Sequence, residues 1–147
     1  MEEQDDIFFS LNEDNDSIVV IPMESINYNS ELSWDKNWIK TKIAIKAGAF
    51  TGNYIGEFMT HDFVNFKKEL QNLYVNLNSS AGFNDLEGYL KIDIQGDGLG
   101  HLNVTYSASD KPGYGSTLTS NFYLDQTYIP NLIRQLDEII ELFPVIK

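Results

Sequence analysis

Cysteine is absent from this chain of 147 residues. Its absence excludes a disulfide framework, a thiolate metal site and a cysteine nucleophile together, and it suits a reducing compartment. Histidine is almost as scarce. His61 and His101 are the only two, and neither belongs to a His-x-x-x-His or His-Glu-x-x-His pair, so no metal or cofactor site is expected. No run approaches the ~20 apolar residues of a membrane span. The start, Met1 to Asp6, is acidic rather than basic-then-apolar, so it does not read as a secretory leader. The expected address is the cytoplasm.

Catalytic motifs are missing as well. Gly96-Asp97-Gly98-Leu99-Gly100-His101 is glycine-rich, but a dinucleotide loop must open a helix so that its amides meet the pyrophosphate. This one opens a strand and reads as a hairpin. Asp93, Gln95 and Asp97 alternate like a calcium loop without the distal glutamate that completes one. There is no Gly-x-Ser-x-Gly elbow and no Gly-Lys-Ser/Thr loop. None of the 22 acids is singled out as a catalytic pair. No catalytic residue is nominated, and the chain does not read as an enzyme.

Acid, by contrast, is abundant. The formal net charge is −12. Seven acids (Glu2, Glu3, Asp5, Asp6, Glu13, Asp14, Asp16) fall in the first 16 positions with no base among them. The other 131 residues carry 15 acids against 10 bases, a net of −5. Such a surface repels phosphate backbones, which argues against nucleic acid as a partner. It attracts a basic protein and speeds the encounter. The chain divides into an acidic N-terminal arm (1–17), which composition leaves open to flexibility, and a single domain (18–147). The hydrophobic fraction of 42% is enough for a packed core.

Periodicity supplies the elements. Ile18 to Met23 is apolar and β-branched, a strand. In Trp38 to Ala47, Lys40, Lys42 and Lys46 alternate with Ile39, Thr41, Ile43 and Ile45, which describes a strand with one wet face. Ala47-Gly48-Ala49 turns the chain into Phe50 to Met59. There Phe50, Gly52, Tyr54, Gly56 and Phe58 share one face, the glycines leaving room for bulky neighbours. Asp62 to Asn76 has apolar residues at steps of three and four, an amphipathic helix capped by Thr60 or Asp62. Strands Tyr89–Gln95, His101–Ser107 and Thr117–Leu124 follow, joined by glycine-rich loops. Thr127 to Phe143 is the clearest helix, with Thr127 as N-cap and Pro130 in its first turn. Short loops require antiparallel neighbours. The expected fold is α+β: a curved antiparallel sheet with two amphipathic helices packed on one face.

Ser33-Trp34-Asp35-Lys36-Asn37-Trp38-Ile39 is the most unusual segment. Its indoles could form a binding surface. The structural reading is favoured: Trp38 anchors the core, while Asp35 and Asn37 tie the turn by side-chain hydrogen bonds to the backbone. This Trp-Asp-x-Asn-Trp-hydrophobic segment, leading into a long strand, resembles the WapI-type immunity protein family. The approach Ile26-Asn27-Tyr28-Asn29 is similar to the family's Gly-Tyr segment but lacks the glycine. Glu87-Gly88-Tyr89-Leu90 is similar to a family strand start but lacks its proline. The resemblance covers roughly Ile18 to the C-terminus. It implies a cytoplasmic protein that binds and neutralises a toxin, and such toxins are frequently nucleases with basic grooves.

The leading expectation is therefore a non-catalytic inhibitor of a basic protein toxin. The alternative is a small-ligand-binding or enzymatic domain with a cavity under the curved sheet, since Gly52, Gly56, Ala108 and Ser120 are small residues on its strands. A homo-oligomer stays open as a third reading. Contacts with the partner are assigned to loop residues, where function concentrates: Glu31, Asp35, Asp85, Asp97, Asp110 and Tyr114.

Overall fold

The computed structural model describes residues 6–27 and 29–147. Glu2, Glu3 and Asp5 of the acidic run, and Tyr28 of the approach segment, lie outside the described residues. The fold is α+β and every strand pairing is antiparallel. The strands divide between two sheets. Strands β1 (Phe9–Glu13), β2 (Asp16–Ser25), β3 (Trp38–Ala47) and β4 (Phe50–Met59) form the first in that order. Helix α1 (Thr60–Val75) crosses to the second, built from β5 (Ser80–Asn84), β6 (Leu90–Gly96), β7 (His101–Ser109) and β8 (Thr117–Asp125). Helix α2 (Ile129–Leu142) ends the chain's regular structure. The strands thus form two four-stranded sheets where one curved sheet was expected: α1 joins β4 to β5, and among the described residues no ladder pairs a strand of one sheet with a strand of the other.

The boundaries of β3 and β4 match the alternation in the sequence. Asp62 supplies the expected N-terminal bond of α1 by accepting the Met59 N–H at 2.9 Å. The second helix starts differently. Asp125, not Thr127, is the capping residue: its carboxylate accepts the Thr127 N–H at 2.9 Å and closes a 3₁₀ turn, Gln126–Tyr128, ahead of α2. Asp is as good an N-cap as Thr, and one turn of 3₁₀ moves the start along.

The segment 1–17, read from sequence as an arm, contains β1 and the first residues of β2. Phe9 and Leu11 are fully buried. Phe9 belongs to a cluster with Phe63, Phe66 and Phe83, its ring centroid 5.5–6.1 Å from each of theirs. The outer edge of β1 is satisfied by side chains arriving with α2. Gln135 Oε1 accepts the Ser10 N–H at 3.0 Å, and the Tyr128 hydroxyl meets the Asn12 N–H and the Ser10 carbonyl. A strand edge that pairs with helix-borne groups is no longer a template for another chain. Helix α1 lies along β5, α2 lies along β1, and the helices pack on each other. No helix among the described residues is long and apolar enough to cross a membrane.

Candidate partner-binding site

The inner face of β4 grades from core to opening. Phe58 is fully buried, Tyr54 half-buried and Phe50, beside the β3–β4 turn, 69% exposed. Gly48 makes that two-residue turn with φ of +60°, a conformation that costs glycine little. The two glycines of this face have different fates. A Cβ at Gly56 would lie 2.8 Å from Tyr89 Cγ, so the Tyr89 ring fills that space. A Cβ at Gly52 would meet nothing within 4 Å.

The space over Gly52 is a groove of ≈300 Å³ between the sheets, walled by Ile45 and Phe50 on one side and Ala108 and Leu118 on the other. Tyr54 ends it inwardly. Its hydroxyl donates to the Tyr89 carbonyl at 2.6 Å, and the same carbonyl accepts the Ser109 N–H at 3.0 Å, which ties the two sheets together. Asp110 stands at the groove. Its Oδ1 accepts the Ser116 N–H at 2.8 Å, and its other oxygen makes no hydrogen bond or ion pair among the described residues. Asp110 is the charged residue of the groove's lining. Burial pushes the Tyr54 phenol well up, and the charges of Asp85 and Asp110 push it further. The Tyr89 phenol is also raised, by burial first and then by Glu57, Glu87, the Tyr114 phenol and Asp85. Among the described residues Asp110 is thus the one acid, and Tyr54 the one tyrosine, of a groove whose apolar walls are interspersed with Thr51, Asn53, Ser116 and Thr117.

The six residues assigned from sequence separate into three places. Asp85, Asp110 and Tyr114 come to this end of the molecule. Asp85 is buried, and it spends its carboxylate on the Gly88, Tyr89 and Leu90 N–H groups at 2.8–2.9 Å. Burial still raises its pKa against those donors. It shapes the loop beneath Tyr89 and contributes charge. Tyr114 is 83% exposed. Glu31 is exposed in the loop after β2, and Asp35 in the same loop accepts the Ser30 hydroxyl at 3.2 Å. Asp97 lies at the opposite end of α1. Its turn is held to Leu77 by the Gly98 N–H, and its carboxyl is held low by the Leu99 N–H and by His101, 2.7 Å away.

Glu57 and Glu87 were not among the partner contacts assigned from sequence: Glu57 lies inside β4 rather than in a loop, and nothing local set Glu87 apart from the other loop acids. Phe50 and Gly52 were placed on one face of their strand but not assigned to partner binding. The signal for Gly52 was its place among small strand residues, but sequence did not distinguish it from Gly56. Of the other small residues there, Ala108 lines the groove and Ser120 lies opposite Tyr106 across the β7–β8 ladder. Among the described residues no group of three His, Asp or Glu side chains gathers as a metal site.

Trp34–Asn37 is a 3₁₀ turn that leads into β3 at Trp38. Asn37 is buried and donates to the Ser33 carbonyl at 3.1 Å, as the backbone-tying reading expected. Asp35 ties the turn through a hydroxyl instead. Trp38 is half-buried, and Trp34 is exposed with its ring stacked on His61, centroids 5.2 Å apart.

A family model described as the immunity protein WapI-like family matches residues 8–144. The chain belongs to this family. The match begins before β1, so the WapI-like domain includes most of the segment first read as an arm. No curated protein matches this WapI-like chain in sequence. Several solved structures are similar to it in fold. The crystal structure of WHY1 from Arabidopsis thaliana aligns over 99% of this chain and 88% of its own, at 11% identity and a TM-score of 0.51. Trypanosoma MRP1/MRP2 aligns over 95% and 86%, at 9% identity and a TM-score of 0.53. A guide-RNA-binding protein complex bound to a gRNA aligns over 94% and 92%, at 9% identity and 0.52. At such identities the likeness is one of fold alone.

Proposed function

We propose that this WapI-like protein is a non-catalytic cytoplasmic inhibitor that neutralises a cognate toxin by binding it directly. The observation that carries the proposal is the family match across residues 8–144. The net charge of −12 supports a basic toxin, such as a nuclease with a cationic substrate groove. The acidic end around Asp110 and Tyr114 is the contact face, because charge, exposed aromatics and an apolar slot coincide there. One structure similar in fold is a protein complex bound to a gRNA. That partner does not transfer, because a chain of this charge repels a phosphate backbone.

The test is co-expression with a candidate cognate toxin domain, followed by isolation of both proteins. Restored growth with a 1:1 complex supports the proposal. Restored growth with no complex, and toxin or its target covalently altered, favours an enzymatic mode instead.

A further inference from the structure

We infer that the groove over Gly52 receives a single arginine side chain of the toxin, its aliphatic stem between the two sheets and its guanidinium on Asp110. The inference rests on the reading that the chain binds a basic protein. A volume of ≈300 Å³ is the bottom of the ~300–1,000 Å³ range of small-molecule pockets, so it suits one large side chain better than a whole ligand. Ile45, Phe50 and Leu118 supply the apolar part of the walls, with Thr51, Asn53, Ser116 and Thr117 among them, and a long cationic side chain buries its methylenes against apolar surface while keeping its head polar.

The polar fittings suit a guanidinium. The Asp110 carboxylate has one oxygen committed to the Ser116 N–H and the other uncommitted among the described residues. The Tyr54 hydroxyl is engaged with the Tyr89 carbonyl, so Tyr54 offers ring rather than hydroxyl. A planar cation stacks on an aromatic face and pairs with a carboxylate at once, which an ammonium does less well. The space is a property of this fold and not a general looseness. The same face is closed four residues on, where Tyr89 covers Gly56. Asp85 and Asp110 both act on Tyr54 electrostatically, so the slot carries the charge complementary to a basic partner.

The test uses the full chain and the toxin domain that it is shown to neutralise. Gly52→Leu extends into the slot from a position where an added Cβ meets nothing within 4 Å and backbone φ is ordinary. Asp110→Asn removes the charge and keeps an acceptor for Ser116. Both variants should melt like the wild type. Each should weaken toxin binding by about 30-fold or more, the usual effect of removing one partner of a desolvated charge pair. One toxin Arg→Ala variant should show the same loss, with no further loss when combined with Asp110→Asn. Wild-type binding together with unchanged affinity in both folded variants overturns the groove while leaving the inhibitor reading intact. Absence of any wild-type binding overturns both. A wild-type dimer that Gly52→Leu dissociates, with toxin binding unchanged, shows a second copy in the groove and overturns the inference.

Discussion

Asn37 grips the backbone of Ile146 with both ends of its amide. The side chain donates to the Ile146 carbonyl at 3.1 Å and accepts its N–H at 2.7 Å, across 109 positions of sequence. It also holds the Ser33 carbonyl of its own turn. One buried amide therefore fixes the entry to β3 and the end of the chain. Asn37→Ala leaves these groups without partners. The expected loss of stability is about 2–3 kcal/mol by chemical denaturation. A loss below about 0.5 kcal/mol means that water replaces the amide and the clamp is not structural.

Gly56 and Gly52 make a matched pair. Alanine at Gly56 meets the Tyr89 ring at 2.8 Å, and the ring is held from behind by Phe58, centroids 6.4 Å apart. Gly56→Ala should cost about 1–3 kcal/mol, as overpacking does. Gly52→Ala meets nothing and should be neutral or gain up to ~1 kcal/mol by restricting the unfolded chain. Parallel thermal melts decide it, and equal effects at the two positions contradict the packing described here.

Asp62 gives the fold a pH dependence of defined sign. Burial raises its carboxyl from the usual 3.8 to about 6, against the Met59 N–H, with Asp85 adding to the rise. The folded state then holds this proton more tightly than the unfolded chain. Stability contributed by Asp62 is present below about pH 4, falls as pH rises to about 6, and is lost above it. Water reaches the half-buried group, which limits the change to about 1–2 kcal/mol. Asp62→Asn keeps an acceptor for Met59 and should flatten this part of the curve. Denaturation of both proteins at about pH 4 and pH 7 measures the difference. A variant with the wild-type slope assigns the dependence to other carboxyls.

Legibility in the sequence followed the range of the forces involved. The lysine alternation of β3, the shared face of β4 and the apolar stripes of both helices are local patterns, and each appears where the pattern places it. Strand β5 hid because Ser80-Ala81-Gly82-Phe83-Asn84 carries turn-type residues, and only Phe83 and Ala81 face the core. Strand β1 hid in an acidic run, although Phe9 and Leu11 sit two apart as a half-buried strand requires. Asp110 and Tyr114 were accessible through loop chemistry. The slot was not, because it exists only where Ile45 and Gly52 of one sheet face Ala108 and Leu118 of the other. Nothing local to any of these strands encodes the separation of two sheets.

Titration of toxin activity with this protein tests direct neutralisation most simply. A binding inhibitor removes activity in proportion to its amount, with the end point at one chain per toxin, and activity returns when high salt weakens the electrostatic capture. Complete loss of activity at a small fraction of one equivalent, persisting after the protein is removed, would mean turnover and contradict the account.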